Sequence, residues 1–491
     1  MSVRVRYAPS PTGLQHIGGV RTALFNYFFA RANKGKFILR IEDTDRERYS
    51  EESLQDLYDT LEWLGIQWDE GPQMGDYGPY VQSQRFDLYQ KYAQSLLDEG
   101  KAYYCFCTAE RLDAVREQQK ISKSKNQGYD RHCRDMDPAE ALKRKEAGDA
   151  CVIRLKVPLD GKTTFHDEVM GDISRKNRDV SPDPVIVKSD GFPTYHLANV
   201  IDDHLMGITH IMRAQEWIPS GPLHVILYEA FGWTPPKYCH LPLVMGKDGS
   251  KLSKRHGATS LKDFRLGGYL PEAIINYISL LGWSFDDSRE FFTKEDLEEL
   301  FTLKKLNKSP AVFDYRKLEW FNGQYIRLKD PESLKELLLP ILQKDGVISD
   351  PVTEDEMGIF NGAFPLVRER LKLTTQVSEM IRFLFKDIDS YNSDDAIPKK
   401  MEASQVPGIL DSCASLLEGF EDRNDEENEK LFYDKSVELG IKMGQILQPL
   451  RVAVTGTKIS PPLFESIRLL GVEKAEARIR ALSEQISKET A

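Results

Sequence analysis

Ala8-Pro9-Ser10-Pro11-Thr12-Gly13-Leu14-Gln15-His16-Ile17-Gly18-Gly19 is the stretch that decides the architecture. It leaves a short strand expected over Arg4–Ala8, passes a Pro/Gly turn and opens a helix. The apolar positions Val20, Ala23, Leu24, Tyr27 and Phe28 follow helical spacing. Two glycines at a helix start let an anion approach free backbone N–H groups, where the helix dipole favours negative charge. His16 beside them can donate a hydrogen bond to a phosphoryl oxygen. Working outward, Phe37–Ile41 reads as a compact buried strand. Leu54, Leu57, Tyr58, Leu61 and Leu64 mark a helix face closed by Gly65. A further helix over Phe86–Leu97 stops at Gly100 and feeds a strand at Lys101–Tyr104. This alternation predicts a mostly parallel, doubly wound sheet.

The alternation breaks down between Cys105 and Pro182 into a polar, charge-rich stretch that reads as an insertion. It resumes with Val185–Val187, a helix after Tyr195, a strand at Ile208–Met212 and a helix after Pro219. Beyond Thr302 helices dominate. Asp330-Pro331 is an N-cap and N1 pair for a helix carrying Leu334, Leu337, Leu338 and Ile341. Glu421–Lys430 reads as a dense charged linker. A chain of 491 residues needs two to four domains, and 41% hydrophobic with 29% charged residues is the composition of a soluble globular protein. No apolar run approaches the roughly 20 residues needed to span a bilayer. The start Met1-Ser2-Val3-Arg4 has no signal-peptide character, so a cytoplasmic protein is expected. The net charge of −11, from 66 basic and 77 acidic residues, does not exclude a local basic surface for phosphates.

A second loop completes the first. Met245-Gly246-Lys247-Asp248-Gly249-Ser250-Lys251-Leu252-Ser253-Lys254-Arg255-His256-Gly257 has glycines for mobility and clustered cations. Such a loop can fold over a polyphosphate and neutralise charge that develops on a leaving group. Together the two loops resemble the HIGH and KMSKS signatures of class I aminoacyl-tRNA synthetases. Gly19 stands where the first motif ends in His, and Arg255 where the second ends in Ser; both departures are familiar in the glutamyl branch.

Four further segments match the pattern of bacterial-type glutamyl-tRNA synthetases: Arg6 before the first loop, Arg40-Ile41-Glu42-Asp43-Thr44-Asp45, Asp190–Asn199, and Arg213-Ala214-Gln215-Glu216-Trp217. The match covers residues 3 to 325. The resemblance implies that Arg6, Ala8, Ser10, Glu42, Tyr195, Asn199 and Arg213 contact glutamate, with Arg213 pairing with its γ-carboxylate. It assigns His16, Gly18, Glu216, Trp217 and Lys254 to ATP, and makes His16, Lys251 and Lys254 the catalytic set. Glutamate's own carboxylate would attack the α-phosphorus of ATP, with Mg²⁺ on the phosphates, and a hydroxyl of the terminal adenosine of tRNA(Glu) would then take the glutamyl group. The implied partners are tRNA(Glu), glutamate and ATP, with no membrane and a monomeric chain.

Six cysteines in a chain this long do not suggest a disulfide framework. Cys105, Cys107 and Cys133 can supply most of a tetrahedral Zn²⁺ shell. Relatives point to Tyr129, four residues before the last cysteine, as the fourth ligand; His132 and Asp135 stay open at this point. Lys304, Lys305 and Lys308 lie close before Phe313, Tyr315, Trp320, Phe321 and Tyr325, a mixture that suits phosphate contacts and base stacking, although Trp320 and Phe321 are expected in the core.

The resulting expectation is a Rossmann-like α/β catalytic domain with a doubly wound parallel sheet and an α+β insertion, followed by an all-α region. Its parts are 1–104 and 183–257 for the two catalytic halves, and 105–182 for an inserted acceptor-binding domain with the zinc site. Residues 258–325 form a stem-contact helical domain and 326–491 an all-helical anticodon-binding region. An idle RNA-binding homologue is disfavoured by the intact His16, Lys254 and Arg213. Another adenylyl-transferring enzyme of this fold would not need the long helical C-terminal region.

Overall fold

In the computed structural model, β1 (Arg4–Tyr7) and β2 (Lys36–Leu39) run parallel, with Val5 opposite Phe37 and Tyr7 opposite Leu39. The crossover between them is α1 (Ile17–Ala32). Val20, Leu24, Phe25 and Phe28 of this helix are each no more than 1% exposed, the mark of a helix enclosed on several sides. The structure describes residues 2–45, 47–123, 128–286 and 288–490; Met1 of the N-terminal reading and residues 124–127 of the insertion lie outside them.

α2 (Glu51–Trp63) starts at Ser50, whose side chain accepts from the Ser53 N–H, and Gly65 ends the turn after it with φ 62°. The left-handed conformation there is one that glycine adopts at no steric cost. α3 (Phe86–Asp98) follows and leads to β3 (Ala102–Cys105). The insertion then supplies α4 (Ala109–Ile121), α5 (Pro138–Glu146), β4 (Val152–Leu155), β5 (Lys162–Asp167) and β6 (Gly171–Lys176), and β7 (Val185–Val187) lies just beyond it. After it come α6 (Tyr195–Leu205), β8 (His210–Ala214), α7 (Gly221–Ala230) and β9 (Lys237–Leu241).

β8 and β9 pair in parallel with Arg213 opposite His240, and β5 joins the far side of β9 in parallel at Asp167 opposite Tyr238. Thr209 bridges β1 to β8: its N–H donates to the Arg4 carbonyl at 2.9 Å, and its Oγ1 accepts from the Arg4 N–H at 2.9 Å. The strands at Lys101–Tyr104 and Val185–Val187 depart from expectation. They lie antiparallel on the two sides of β4, in a separate three-stranded sheet, rather than in the parallel sheet. A short apolar run packs equally well beside either kind of neighbour, and here the neighbour is supplied by the insertion itself. Asp183 locks this sheet: its buried carboxylate takes both oxygens to Arg134 at 2.7 Å, and accepts from Tyr103 Oη at 2.8 Å and the Val157 N–H at 3.1 Å.

The chain divides into two compact units, Met1–Arg265 with Pro271–Tyr315, and Leu266–Leu270 with Arg316–Ala491. The second is helical, with helices that include Pro331–Lys344, Glu354–Arg368, Val406–Leu416, Asp425–Glu438 and Val472–Thr490. Asp330 caps the first of these as expected, accepting from the Ser333 N–H at 3.0 Å. The buried stripe of that helix is Leu334, Leu338 and Leu342, whereas Leu337 is 44% exposed. Spacing of four residues holds one face, and Leu337 falls off it. Trp320, expected in the core with Phe321, is 45% exposed, while Phe321 is fully buried. Glu421–Lys430 is a linker only in its first half: Asn424 caps the helix that begins at Asp425, accepting from the Glu427 N–H at 2.9 Å. Acidic residues crowd that first turn because they complement the helix dipole. Among the described residues no helix is long and apolar enough to cross a membrane.

Within the first unit the two halves of the catalytic sheet are joined by ions. Asp203 of α6 accepts from Arg6 Nε at 2.9 Å and from Arg40 Nη1 at 2.7 Å, and all three side chains are at least 95% buried. Its neighbour Asp202 accepts from Arg85 Nε at 2.7 Å, Gln82 Nε2 at 2.9 Å and Tyr89 Oη at 2.9 Å. Burial alone would raise the Asp203 carboxyl, but Arg6 and Arg40 bring it below its ordinary value. Asp203→Asn keeps the shape and removes the charge that two buried guanidiniums share. It is expected to lower unfolding free energy by about 3–5 kcal/mol, seen as an earlier urea midpoint by circular dichroism. An unchanged midpoint would show that the arginines do not require the carboxylate.

Candidate active site

The carboxyl ends of β1, β2 and β8 open into a cleft of ≈ 1060 Å³. Its lining includes Arg6, Ala8, Ser10, His16, Gly18, Glu42, Tyr195, Asn199, Arg213, Glu216, Trp217, Lys251 and Lys254, so one cleft gathers the glutamate and ATP residues expected from the sequence. It also includes residues that sequence reasoning gave no role: Tyr7, Gln15, Arg21, Thr259 and Ser260. Tyr7 and Gln15 brace the first loop. Tyr7 Oη donates to Gln15 Oε1 at 2.6 Å, and the Gln15 N–H donates to Asp56 Oδ2 at 2.6 Å. No periodicity marks such a brace, because its partners lie on a strand, a turn and a helix.

His16 is the N-cap of α1. Its Nδ1 accepts from the N–H groups of Gly18 and Gly19 at 3.1 and 3.3 Å. A ring nitrogen that accepts carries no proton, so the neutral ring's proton is on Nε2, where it is available to donate. Burial, with Lys251 nearby, holds this imidazole below its ordinary pKa, which keeps it neutral. A Cβ on Gly18 would stand 3.2 Å from the His16 ring, so the glycine gives the imidazole room.

The second loop returns to the first. The Ile17 N–H donates to the Thr259 carbonyl at 3.1 Å and the Leu261 N–H to the Gln15 carbonyl at 3.0 Å. Within the loop Asp248 is the organiser, accepting from the Ser250 N–H at 2.9 Å and contacting His256 Nε2 at 3.1 Å and Arg255 Nη2 at 3.3 Å. The Ser250 backbone N–H, followed by the Ser250 hydroxyl and His256, holds the Asp248 carboxyl well below the usual range. Lys251 pairs with Glu216 at 2.7 Å. Lys254 is exposed in the one-turn helix Lys254–His256 and forms no ion pair among the described residues.

The deep end is electrostatically sorted. Arg6 and Arg40 share Asp203, and Arg40 Nη2 also donates to Glu42 Oε1 at 2.9 Å. Asn199 Nδ2 donates to the same oxygen at 3.3 Å, leaving the buried Asn199 Oδ1 without a partner. Burial pushes the Glu42 carboxyl up, against the pull of Arg40. Arg213, 5% exposed, is held differently. Nε donates to His240 Nε2 at 3.1 Å, Nη1 to Tyr195 Oη at 3.2 Å and Nη2 to the Trp217 carbonyl at 3.4 Å. Among the described residues it makes no ion pair. Beside it the Tyr195 and Trp217 rings pack with centroids 4.5 Å apart, and the guanidinium carbon stands 6.0 Å from the Trp217 centroid.

Two family models match the chain. Residues 2–320 match tRNA synthetases class I (E and Q), catalytic domain, and residues 327–483 an anticodon binding domain. The chain belongs to the class I tRNA synthetases (E and Q). It is 56% identical over 485 residues to a glutamate–tRNA ligase of Borreliella burgdorferi, covering 99% of each chain. It is 54% identical to one from Treponema denticola, over 99% of this chain and 100% of the relative. Among solved structures it is similar to a glutamate tRNA ligase from Elizabethkingia meningosepticum in complex with its amino acid. That likeness has a TM-score of 0.82 at 34% identity, over 99% of this chain and 100% of the other.

A second candidate centre lies in the synthetase's insertion. The sulfurs of Cys105, Cys107 and Cys133 all lie within 4.8 Å of one another, and Cys107 and Cys133 are 3.7 Å apart. A tetrahedral ion with metal–sulfur bonds near 2.3 Å needs a sulfur–sulfur edge of about 3.8 Å. Tyr129 Oη lies 3.3 Å from Cys105 Sγ, whereas His132 and Asp135 are exposed and stand outside the cluster. The donor set therefore fits zinc, with Tyr129 the side chain at hand for the fourth position.

Three buried or half-buried imidazoles gather behind Arg213. Burial pushes His196 down to about 4 and holds His224 well below its ordinary value, in each case with help from the Arg213 charge. His240 is lowered by burial, against the pull of Asp167. A histidine whose folded pKa lies below the unfolded value of about 6.5 binds fewer protons folded than unfolded, so its contribution is intact above that value and is lost as pH falls. For His196 the window runs from about 6.5 down to about 4. Urea unfolding near pH 7.5 and near pH 5 should show wild type losing about 2 kcal/mol more than His196→Asn. Equal losses would locate the acid sensitivity elsewhere.

Proposed function

We propose that this protein is a glutamate–tRNA ligase: it activates glutamate with ATP to glutamyl-adenylate and transfers glutamate to the terminal adenosine of tRNA(Glu). The observation that carries the reading is Arg213, a buried guanidinium facing the cleft with no carboxylate partner among the described residues. An arginine's planar fork matches a carboxylate, and a buried cation hydrogen-bonded only to neutral groups favours an anionic ligand. In the proposed arrangement Arg213 takes the γ-carboxylate. The free Asn199 Oδ1 and Glu42 receive the α-amine, and Arg6, Ala8, Ser10 and Tyr195 complete the pocket.

Neither half-reaction needs a protein nucleophile. The α-carboxylate of glutamate attacks the α-phosphorus, pyrophosphate departs, and the adenosine hydroxyl then displaces AMP. The residues supply position and charge. His16 donates from Nε2 to a phosphoryl oxygen at the α1 N-terminus. Glu216 and Trp217 hold the nucleotide, and Lys251 and Lys254 meet the charge that grows on the leaving pyrophosphate. Magnesium would add charge neutralisation on the phosphates. Of the carboxylates lining the cleft, Glu42 is bonded to Arg40 and Glu216 to Lys251, and no three acids converge there among the described residues, so the phosphates rather than a protein cage would carry the ion.

The domain reading follows: residues 105–182 meet the acceptor end and 326–491 the anticodon, with residues 258–325 on the stem. A single chain works in the cytoplasm. Zinc held by Cys105, Cys107, Tyr129 and Cys133 would be structural, tying β3 to the segment before α5.

Two outcomes test these assignments. Arg213→Gln should leave the fold intact and lower kcat/KM for glutamate through loss of a desolvated charge-assisted pair, on the order of 2–4 kcal/mol. Charging of glutamate- and glutamine-accepting tRNA, each offered glutamate and glutamine, measures it; a loss below about tenfold would refute the role. Elemental analysis of protein purified without added metal should find one zinc per chain, and Cys107→Ser should release it and lower thermal stability. A metal-free wild type with full charging activity would retire the zinc.

A further inference from the structure

Of Arg6, Arg40 and Arg213, only Arg213 is not neutralised by a carboxylate among the described residues; Arg21, also buried in the cleft wall, spends its donors on the backbone carbonyls of Leu281 and Pro242. Arg6 and Arg40 reach Asp203 directly, at 2.9 and 2.7 Å. Arg213 reaches an acid only through a ring. Its Nε donates to His240 Nε2 at 3.1 Å, and His240 Nδ1 lies 2.6 Å from Asp167 Oδ2. An arginine can only donate, so His240 Nε2 is unprotonated, the ring proton sits on Nδ1, and Asp167 accepts it.

The chain is built rather than incidental. Arg213 and His240 are register partners on adjacent parallel strands, and so project side by side from one face. Asp167 is fully buried at the end of β5 in the insertion. It also accepts from the backbone N–H groups of Val169 at 3.0 Å, Met170 at 2.8 Å and His240 at 3.1 Å, which fixes the carboxylate that fixes the ring. A second imidazole, His224, stands 3.5 Å from Arg213 Nη1 and is itself 3.0 Å from His196. Both sides of the guanidinium are thus braced by imidazoles that burial keeps uncharged.

We propose that His240, held by Asp167, is a positioning residue for glutamate specificity: it orients Arg213 through a neutral acceptor, so that the guanidinium keeps its charge for the substrate's side-chain carboxylate. This rests on the proposed pairing of Arg213 with that carboxylate. A carboxylate in direct contact would orient the arginine as well, but it would also compete with the ligand. The site would then distinguish poorly between glutamate and its neutral amide, glutamine. Asp167 supplies the anchoring charge from one ring away.

The test separates charge from shape with two substitutions of nearly equal size. His240→Gln keeps a donor toward Asp167 and a neutral acceptor toward Arg213; His240→Glu places a carboxylate there. Aminoacylation of glutamate-accepting tRNA is measured with glutamate and with glutamine, together with KM for ATP and thermal unfolding. His240→Gln should keep the glutamate preference within about threefold of wild type. His240→Glu should lower it about tenfold or more through KM for glutamate, with KM for ATP within about twofold. If His240→Glu does not fold, His240→Leu replaces it: with no acceptor it should raise KM for glutamate about tenfold over His240→Gln. Equal preference in the folded Gln and Glu variants, or equal KM in Gln and Leu, overturns the proposal. Arg213→Gln in the same assay distinguishes the failures. If it keeps its glutamate preference, the reading of Arg213 itself falls; if it loses it while the His240 variants do not, only the role of His240 falls.

Discussion

Asp202 and Asp203 stand side by side on α6 without exposed surface, and between them they meet the charges of Arg6, Arg40 and Arg85. Arg6 belongs to β1, Arg40 follows β2 and Arg85 precedes α3, so one dipeptide fastens three segments of the N-terminal half to the half that follows the insertion. Desolvating this many ions is unfavourable unless every one is matched, which makes the arrangement all-or-none rather than graded. The cleft inherits its geometry from this knot. Arg6 and Glu42 line the cavity while bonded into the network, and Asn199 lies one helical turn before Asp203 on the same helix.

Charges in the synthetase are therefore sorted by depth. Those that set shape are paired and dry. Two of these, Arg6 and Glu42, also line the cleft, whereas Arg213 and Lys254 form no ion pair among the described residues and Lys251 is loosely paired with Glu216 at the mouth. That pair keeps 58% and 49% of its side-chain surface exposed. An ion pair so wet contributes about 0–1 kcal/mol. It can exchange Glu216 for a phosphate at small cost, whereas exchanging Asp203 for any ligand would dismantle the domain. Activation by positioned charge, with no bond to the protein, is suited by this combination of a fixed floor and an exchangeable rim.

Much of the site was legible in sequence because its residues sit beside recognisable punctuation. His16, Gly18, Lys251 and Lys254 lie in glycine-rich loops between a strand and a helix, and Arg6, Glu42 and Arg213 lie at strand ends. The helix start at Asp330 is written in its capping pair, whereas the cap at Asn424 is hidden inside a stretch that reads as a charged linker. What sequence reasoning missed shares one property: the partner is remote. Tyr7, Gln15 and Asp56 brace one another across three elements, and Asp167 reaches His240 from inside the insertion. The sheet of the strands flanking the insertion is illegible for the same reason, since Val185–Val187 carries no mark of the antiparallel neighbour it finds. Leu337 shows the opposite failure, a local pattern read one position too wide.

The span of the Asp203 contacts also governs how the chain is made. Arg6 and Arg40 lie 197 and 163 residues before the carboxylate they share. Synthesis at about 5–20 residues per second separates them by about 10–40 s, during which two arginines destined for a dry interior have no acid to meet. β1, β2 and α1 can collapse locally in that time, but their parallel pairing cannot be sealed until α6 emerges. The antiparallel sheet of β3, β4 and β7, with its Asp183 lock and the cysteine cluster, is synthesised in the interval from residues 102–187 and pairs with neither β1 nor β2. A nascent synthetase is thus a protein whose middle can finish before its beginning.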